Sequence, residues 1–557
     1  MNQILKLTSL LKNKLYFFIL EVFLFSLMIY FTYFSPAQEY ETSIYLKTPI
    51  YFWIIFLINF ILILSNIFYY LNKNSAQWKI NYVYLIILNI FLINLYNLRG
   101  YYMLFGNSDA ATYLGYSKDV LNYGTFGTNF YPYLSILNVI ISIFCNLDVL
   151  FILKIIPTIF YIIYNIFLYL FSSSIIKNQY YIRIFLLISI PLFYSSFFIS
   201  YYPMLLSILL IPLTLYLLNK ERLDNRYSIL CIMIFSILII FHPITSLFIL
   251  LYKILFYLYD LKNKSTYYNN SYIIIVIMAL FNMWFLNQVI IIKDVFRIIA
   301  QILEGDITTL TSTQYYVSSL GLLNSIKFLL LTNADEIIYF SLSLIIGIVL
   351  LLKDKKGKIR NYVYIYIISL ISYFVLFLTT RIHEPDRLLN LNPNLILTLP
   401  IISMGIYALK IKRKNLLLSF FIILIFNISM FSLYPSPYIT TPNPYTTKNE
   451  VNSIKWLITY KYSSTETTSI ISPLDRYENI LFGVYGLNKF TLSYWSPTND
   501  HFKIQNNTIL FISKFEEIAY STTWSFTNKF TREDFTEINN SFNKLYDSNG
   551  EKVYITK

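Results

Sequence analysis

Residues Tyr131–Asn146, YPYLSILNVIISIFCN, decide how the rest of this chain is threaded. The run is apolar, yet as an α-helix of about 15 residues it reaches only about 22 Å, short of a hydrocarbon core of about 30 Å. Counted as a membrane span, it would place the basic segments KNQYYIR (177–183) and KERLDNR (220–226) on the outer side. Left at the interface, it brings every basic cluster to one side, including KDKKGKIR (353–360) and KIKRK (410–414). The excess of Lys and Arg on cytoplasmic loops favours the second arrangement, an interfacial helix on the outer surface.

Composition makes a membrane the relevant solvent. Of 557 residues 57% are hydrophobic and only 13% charged, and mean hydropathy is +0.57. Apolar runs near 20 residues recur along the chain. The net charge of +14 lies in short clusters between those runs, so topology, not nucleic acid, accounts for it. Cys145 and Cys231 lie far apart in apolar segments, with no CxxC, and suggest neither a disulfide framework nor a thiolate metal site.

The expected architecture is an all-α polytopic membrane protein. Spans are expected near 15–34, 49–71, 80–98, 150–175, 183–200, 203–219, 227–242, 244–261, 271–292, 336–352, 361–379, 393–409 and 415–433, about thirteen in all. The first is long for a signal core and is read as an uncleaved helix, although Ser35-Pro36-Ala37 resembles a cleavage site. The N-terminus is then cytoplasmic, and residues 434–557 lie outside. That tail follows a Pro-rich linker, PSPYITTPNP (435–444), and reads as a small α+β domain, with a helix over NEVNSIKWLITY and a strand at TSIIS. The division is thus 1–433, a transmembrane domain with an external loop 99–149, and 434–557, a soluble extracytoplasmic domain. Glu21, Lys154 and Lys253 lie near span ends and are expected to snorkel.

The external loop carries the candidate chemistry. In GNSDAATYLGYSKDVLNYGTFGTNFYP (106–132), a helix starting at Asp109 puts Asp109, Tyr113 and Tyr116 on one face. A carboxylate then stands beside two amphipathic rings at headgroup depth; alternatively Ser108 or Asp109 only caps the helix. Asp119, beside Lys118, reads as half of a solvated surface pair. In RIHEPDRLLNLNPN (381–394), Arg381 and Arg387 are candidate phosphate ligands, since a guanidinium grips phosphate through two parallel bonds, and His383 is a candidate substrate contact; the alternative is a solvated turn whose charges pair with Glu384 and Asp386. His242, in FHPITS (241–246), either lines the cavity or is a structural residue of a helix turn. Glu304 and Asp306 sit in a long loop, 293–335, of a length suited to a lid. There is no Walker A or GxGxxG motif, so no nucleotide or other cofactor is expected, and no metal.

Asp109 with Tyr113 four residues on, followed after about 20 residues by FYPYLSIL (130–137), resembles the GT-C superfamily of polytopic membrane glycosyltransferases, such as the protein mannosyltransferases and aminoarabinose transferases. The motif likeness covers about 40 residues. It implies inverting transfer of a sugar from a polyprenyl-phosphate donor on the outer face of the cytoplasmic membrane, to a lipid, glycan or protein acceptor. Asp109 would be the general base, with Tyr113, Tyr116, Arg381, His383, Arg387 and His242 binding substrate. The partners implied are that donor and membrane lipids, with no nucleic acid. Two features depart from the family pattern. Ala110 stands where many members carry a second acid, which argues against a metal, and two extra spans precede the usual first one. The WWDYG of the oligosaccharyltransferase branch has only SYWSPTND (493–500) as its nearest counterpart. A transporter or flippase of envelope precursors, or a non-catalytic assembly protein, is the alternative; the asymmetric external loop and the lack of repeated halves speak against transport.

Overall fold

The computed structural model describes residues 14–556 apart from 74–75, 104–105, 107, 128, 130, 195–198, 200, 263–270, 289–291, 294–299, 301–320, 354–358, 380–393, 409–413, 438–440, 462–464, 471–473, 486–490, 495–506 and 524–529. Each expected span contains a helix, from Lys14–Tyr33 to Lys414–Leu433. Eight described helices are long and apolar enough to cross a membrane, and the chain is a multi-pass membrane protein. Large apolar side chains such as Phe23, Ile229, Ile275 and Ile345 face outward, as lipid contact requires.

Helices Ser228–Phe241, Ser271–Leu286 and Asn394–Ala408 are shorter than the spans expected there, and two further spans depart in other ways. The one expected at 183–200 is the eleven-residue helix Gln179–Ser189, about 16 Å long, which gives way to a 3₁₀ turn at Pro191–Phe193. Proline cannot donate the next helical hydrogen bond. Its residues Tyr181–Ser189 are all buried, so protein and not lipid surrounds it. The span expected at 336–352 begins at Leu322 and runs to Lys353 with a break at Asn333 (φ −131°, ψ 18°), which shortens the preceding loop.

Glu21, Lys253 and Lys154 are each held by a partner within the protein and do not snorkel. Glu21 is buried and accepts from Asn66 Nδ2 at 2.8 Å. Lys253 is buried against Glu221 at 2.5 Å, beside a forked Arg222–Asp260 pair at 2.5 and 2.8 Å. Lys154 Nζ donates to the Tyr101 carbonyl at 3.0 Å. Reaching water would strand each partner in a dry interior, so the pairs hold.

The C-terminal region builds a mixed five-stranded sheet, with β1 (Glu466–Ser469), β2 (Thr491–Tyr494), β3 (Ile509–Ile512), β4 (Asn543–Ser548) and β5 (Glu551–Ile555) in the order β2-β1-β3-β5-β4. The β1 strand pairs in parallel with β2 and β3, and β5 is antiparallel to β3 and β4. Helix Lys448–Tyr460 opens with a capping box, in which Thr447 and Glu450 satisfy each other's backbone N–H groups. Strand β1 starts two residues before the expected TSIIS run.

The Pro-rich linker is packed, not loose. Tyr434 and Tyr445 are buried against Tyr96, and Thr446 bridges to Met103 of the loop that precedes helix Asp109–Tyr123. Asn443 Nδ2 donates to the Glu41 carbonyl at 2.8 Å. Glu41 in turn grips Arg99 with two bonds of 2.6 and 2.7 Å, and Arg99 Nε reaches the Ser35 carbonyl at 2.8 Å. The segment after the first helix, the loop around Arg99–Met103 and the linker are thereby tied together.

Candidate active site

The helix over the decisive loop runs Asp109–Tyr123 and stops at Gly124, whose left-handed φ of 68° closes the last turn. Helix Pro132–Cys145 follows at the expected place, with Pro132 in its first turn, where a missing N–H costs nothing. Leu134, Ser135, Asn138 and Val139 face inward, while Ile140, Ile143 and Phe144 are exposed on the other side. Asn138 Nδ2 donates to Ser117 Oγ at 3.2 Å, which ties the two helices together.

Asp109 is the first helical residue, and its side chain is 64% exposed. The Ser108 side chain, in the cap position, makes no capping bond to the helix; its Oγ lies 2.8 Å from Tyr202 Oη. Tyr113 is partly buried one turn further on, and burial, then the neighbouring Tyr131, Asp109 and Tyr202, push its phenol well above the ordinary range. Burial also raises Tyr131. Both phenols therefore keep their protons. Tyr116 shares this face, and it is among the groups that raise Tyr113. The ring of His242 is tilted against Tyr131 at 6.3 Å, and its Nδ1 sits 2.8 Å from Thr245 Oγ1. Arg381, His383, Arg387, Glu304 and Asp306 lie outside the described residues.

The C-terminal region supplies what the loop's own sequence does not announce. Helix Leu474–Phe482 lies along helix Asp109–Tyr123, brought close by Gly115, where a Cβ would stand 3.0 Å from Asn479 Cβ. At one end Arg476 Nη2 donates to Asp109 Oδ1 at 2.8 Å, while Nη1 bonds Thr112 Oγ1, which Asn479 Nδ2 approaches at 3.4 Å. At the other end Lys118 Nζ donates to the Ile480 and Leu481 carbonyls at 2.5 and 3.2 Å, capping the helix C-terminus. Burial lowers the pKa of Lys118. Asp119 is fully buried, and its Oδ2 accepts from the backbone N–H groups of Val484 and Tyr485 at 2.8 and 3.1 Å. Burial raises its pKa, and those two bonds partly offset the rise. The reading of Lys118 and Asp119 as a solvated pair is thus corrected: together they clasp a helix end, because the C-terminal region covers that face of the loop.

No protein-family model matches the sequence, and no curated protein does. Among solved structures, the chain is similar to ArnT from Cupriavidus metallidurans bound to undecaprenyl phosphate, at 9% identity and a TM-score of 0.48, over 86% of this chain and 98% of that one. It is also similar to the Archaeoglobus fulgidus oligosaccharyltransferase tethered to an acceptor peptide, at 10% identity and a TM-score of 0.49, over 88% of this chain and 75% of that one. Both are members of the GT-C superfamily. Of the segment SYWSPTND (493–500), residues 495–500 lie outside the described residues.

Proposed function

We propose that this chain is a membrane glycosyltransferase that moves a sugar from a polyprenyl-phosphate-linked donor to a hydroxyl-bearing acceptor, with Asp109 as general base. The observation that carries the reading is the placement of Asp109: an exposed carboxylate at a helix start, one turn from the Tyr113 phenol, beside a short helix that turns an apolar face outward. Such a site meets water on one side and acyl chains on the other, as a reaction between a lipid-borne donor and a polar acceptor requires.

In this mechanism the acceptor hydroxyl gives its proton to Asp109 as its oxygen attacks the anomeric carbon. The bond from that carbon to the phosphate oxygen breaks on the opposite face, which inverts the anomeric centre, and the polyprenyl phosphate leaves with the electron pair. A positioned carboxylate contributes about 10²- to 10⁴-fold to such a step. Phenol donors, with Arg381 and Arg387 as the proposed phosphate ligands, stabilise the charge that grows on phosphate. Helix Pro132–Cys145 lies at the outer surface, the N-terminus is cytoplasmic, and the region from 434 on is external.

Purified protein given a polyprenyl-phosphate sugar and a crude envelope acceptor should release free polyprenyl phosphate, and cells lacking the protein should lose a glycan. No release together with unchanged glycans would reject the activity. For sidedness, single cysteines at Asn178 and Asn225, in a Cys145→Ser background because Cys145 is exposed, should resist impermeant label until lysis. Labelling in intact cells would invert the topology.

A further inference from the structure

Among the described residues, the Asp109 carboxylate has one hydrogen-bonding partner, and it comes from the other end of the chain. A carboxylate at the first turn of a helix, 64% exposed, has two free side-chain torsions and no help from its own cap, since Ser108 is turned to Tyr202. A base so placed must be aimed, because a reacting group displaced by about 1 Å forfeits about 10²-fold in rate. The Arg476 guanidinium spans Asp109 and Thr112, positions i and i+3 of one helix, with one nitrogen on each. That is a brace: the planar fork fixes the carboxylate relative to the helix that carries it. Arg476 is itself held, for its helix is fastened at the far end by Lys118 and Asp119. Docking there does not depend on Arg476, so aiming and docking are separable.

We propose that Arg476 is a positioning residue for Asp109, so that the C-terminal region completes the reacting centre. This inference rests on the function proposed above. It explains why a region built around its own sheet lays a helix along the loop that carries the base.

The test uses the full-length protein in detergent or nanodiscs, with a polyprenyl-phosphate sugar as donor, and compares Arg476→Lys, Arg476→Ala, Asp109→Asn and Arg476→Ala/Asp109→Asn. Arg476→Lys keeps charge but loses the fork. Both Arg476 single variants should lower kcat by about 10- to 100-fold, with the KM for donor changed less than about twofold and the proteolytic pattern of the C-terminal region unaltered. In the Asp109→Asn background Arg476→Ala should add nothing, since a residue acting through another has no effect once that other is gone. An unchanged kcat in both single variants would overturn the proposal, as would a rise in donor KM alone, which marks a phosphate contact. A further loss in the double variant, or proteolytic release of the region in step with kcat, would overturn it too. If Asp109→Asn itself stays active, the proposed function fails, and the result is distinct from all of these.

Discussion

Two carboxylates ten residues apart on the same helix have opposite fates. Asp109 opens the helix, stands largely in solvent and meets a single side chain from the C-terminal region. Asp119, near the end, is fully buried and accepts two backbone N–H bonds from that same region. One helix thus presents an exposed carboxylate held by a single side chain and another consumed in holding a structure together. Exposure alone would rank them this way, but the partners say more. A side-chain contact such as Arg476 can yield to a substrate, whereas paired backbone amides at a helix end are a fixed part of the fold.

The contrast can be broken at the docking end first. Asp119→Ala leaves two backbone N–H groups without their acceptor, at a cost of about 1–3 kcal/mol, and should free helix Leu474–Phe482 to protease. Cleavage near 483–485 in detergent-solubilised protein, against a resistant parent, is the readout. Gly483→Ala should act in the same direction and somewhat less. Gly483 has φ +95°, and a Cβ there would come within 2.2 Å of Asp119 Oδ1, so the chain would have to shift by an amount that typically costs about 1–3 kcal/mol. A protease-resistant Gly483→Ala protein would mean that the clasp is looser than its geometry.

A smaller effect comes from pH. Glu551, at the start of β5, is buried with Glu450 nearby, and burial holds its carboxyl well above the usual range. Glu516, Tyr40, Tyr477 and Lys514 complete its surroundings. Its Oε1 accepts from the Lys514 N–H at 3.3 Å. The folded form therefore keeps a proton that the unfolded form releases above the ordinary glutamate value of 4.5. By linkage, stability contributed by this group is present at low pH and falls as pH rises from there toward the raised folded value. Thermal melts of the C-terminal region should shift downward between mildly acidic and mildly alkaline buffer, and Glu551→Gln, permanently uncharged, should flatten that slope. An unchanged slope in Glu551→Gln would assign it to other groups, Asp119 among them, since its carboxyl is raised as well.

Much of this was open to reading from sequence because periodicity and apolar length are local. The helices at Asp109–Tyr123 and Pro132–Cys145 fell where a candidate cap, a Pro and a short apolar run said they would. The shared face of Asp109 and Tyr113 follows from the 3.6-residue repeat alone. The break at Pro191 was written in the residue itself, but the burial around it, which lets a helix of eleven residues persist, was not. Pairs such as Lys253 with Glu221 join residues 32 apart, and no spacing rule selects that partner over a snorkelling pose. Arg476 lies 367 residues from Asp109, within a short amphipathic helix whose sequence, LDRYENILF, carries no signal of a site. Asp119 was misread for the same reason: its burial is made by 483–485, and a lone Lys-Asp dipeptide resembles any solvated pair.

The central claim is that the exposed end of helix Asp109–Tyr123 does chemistry while the buried end does not. It is tested most directly by single-turnover transfer from a polyprenyl-phosphate sugar in Asp109→Asn protein whose C-terminal region is shown by proteolysis to remain docked. Asparagine keeps the size and the contact to Arg476 but not the basic oxygen, so transfer should fall by at least about 100-fold. Transfer within a few-fold of the parent, in protein of intact proteolytic pattern, would contradict the account and reduce Asp109 to a residue that only begins a helix.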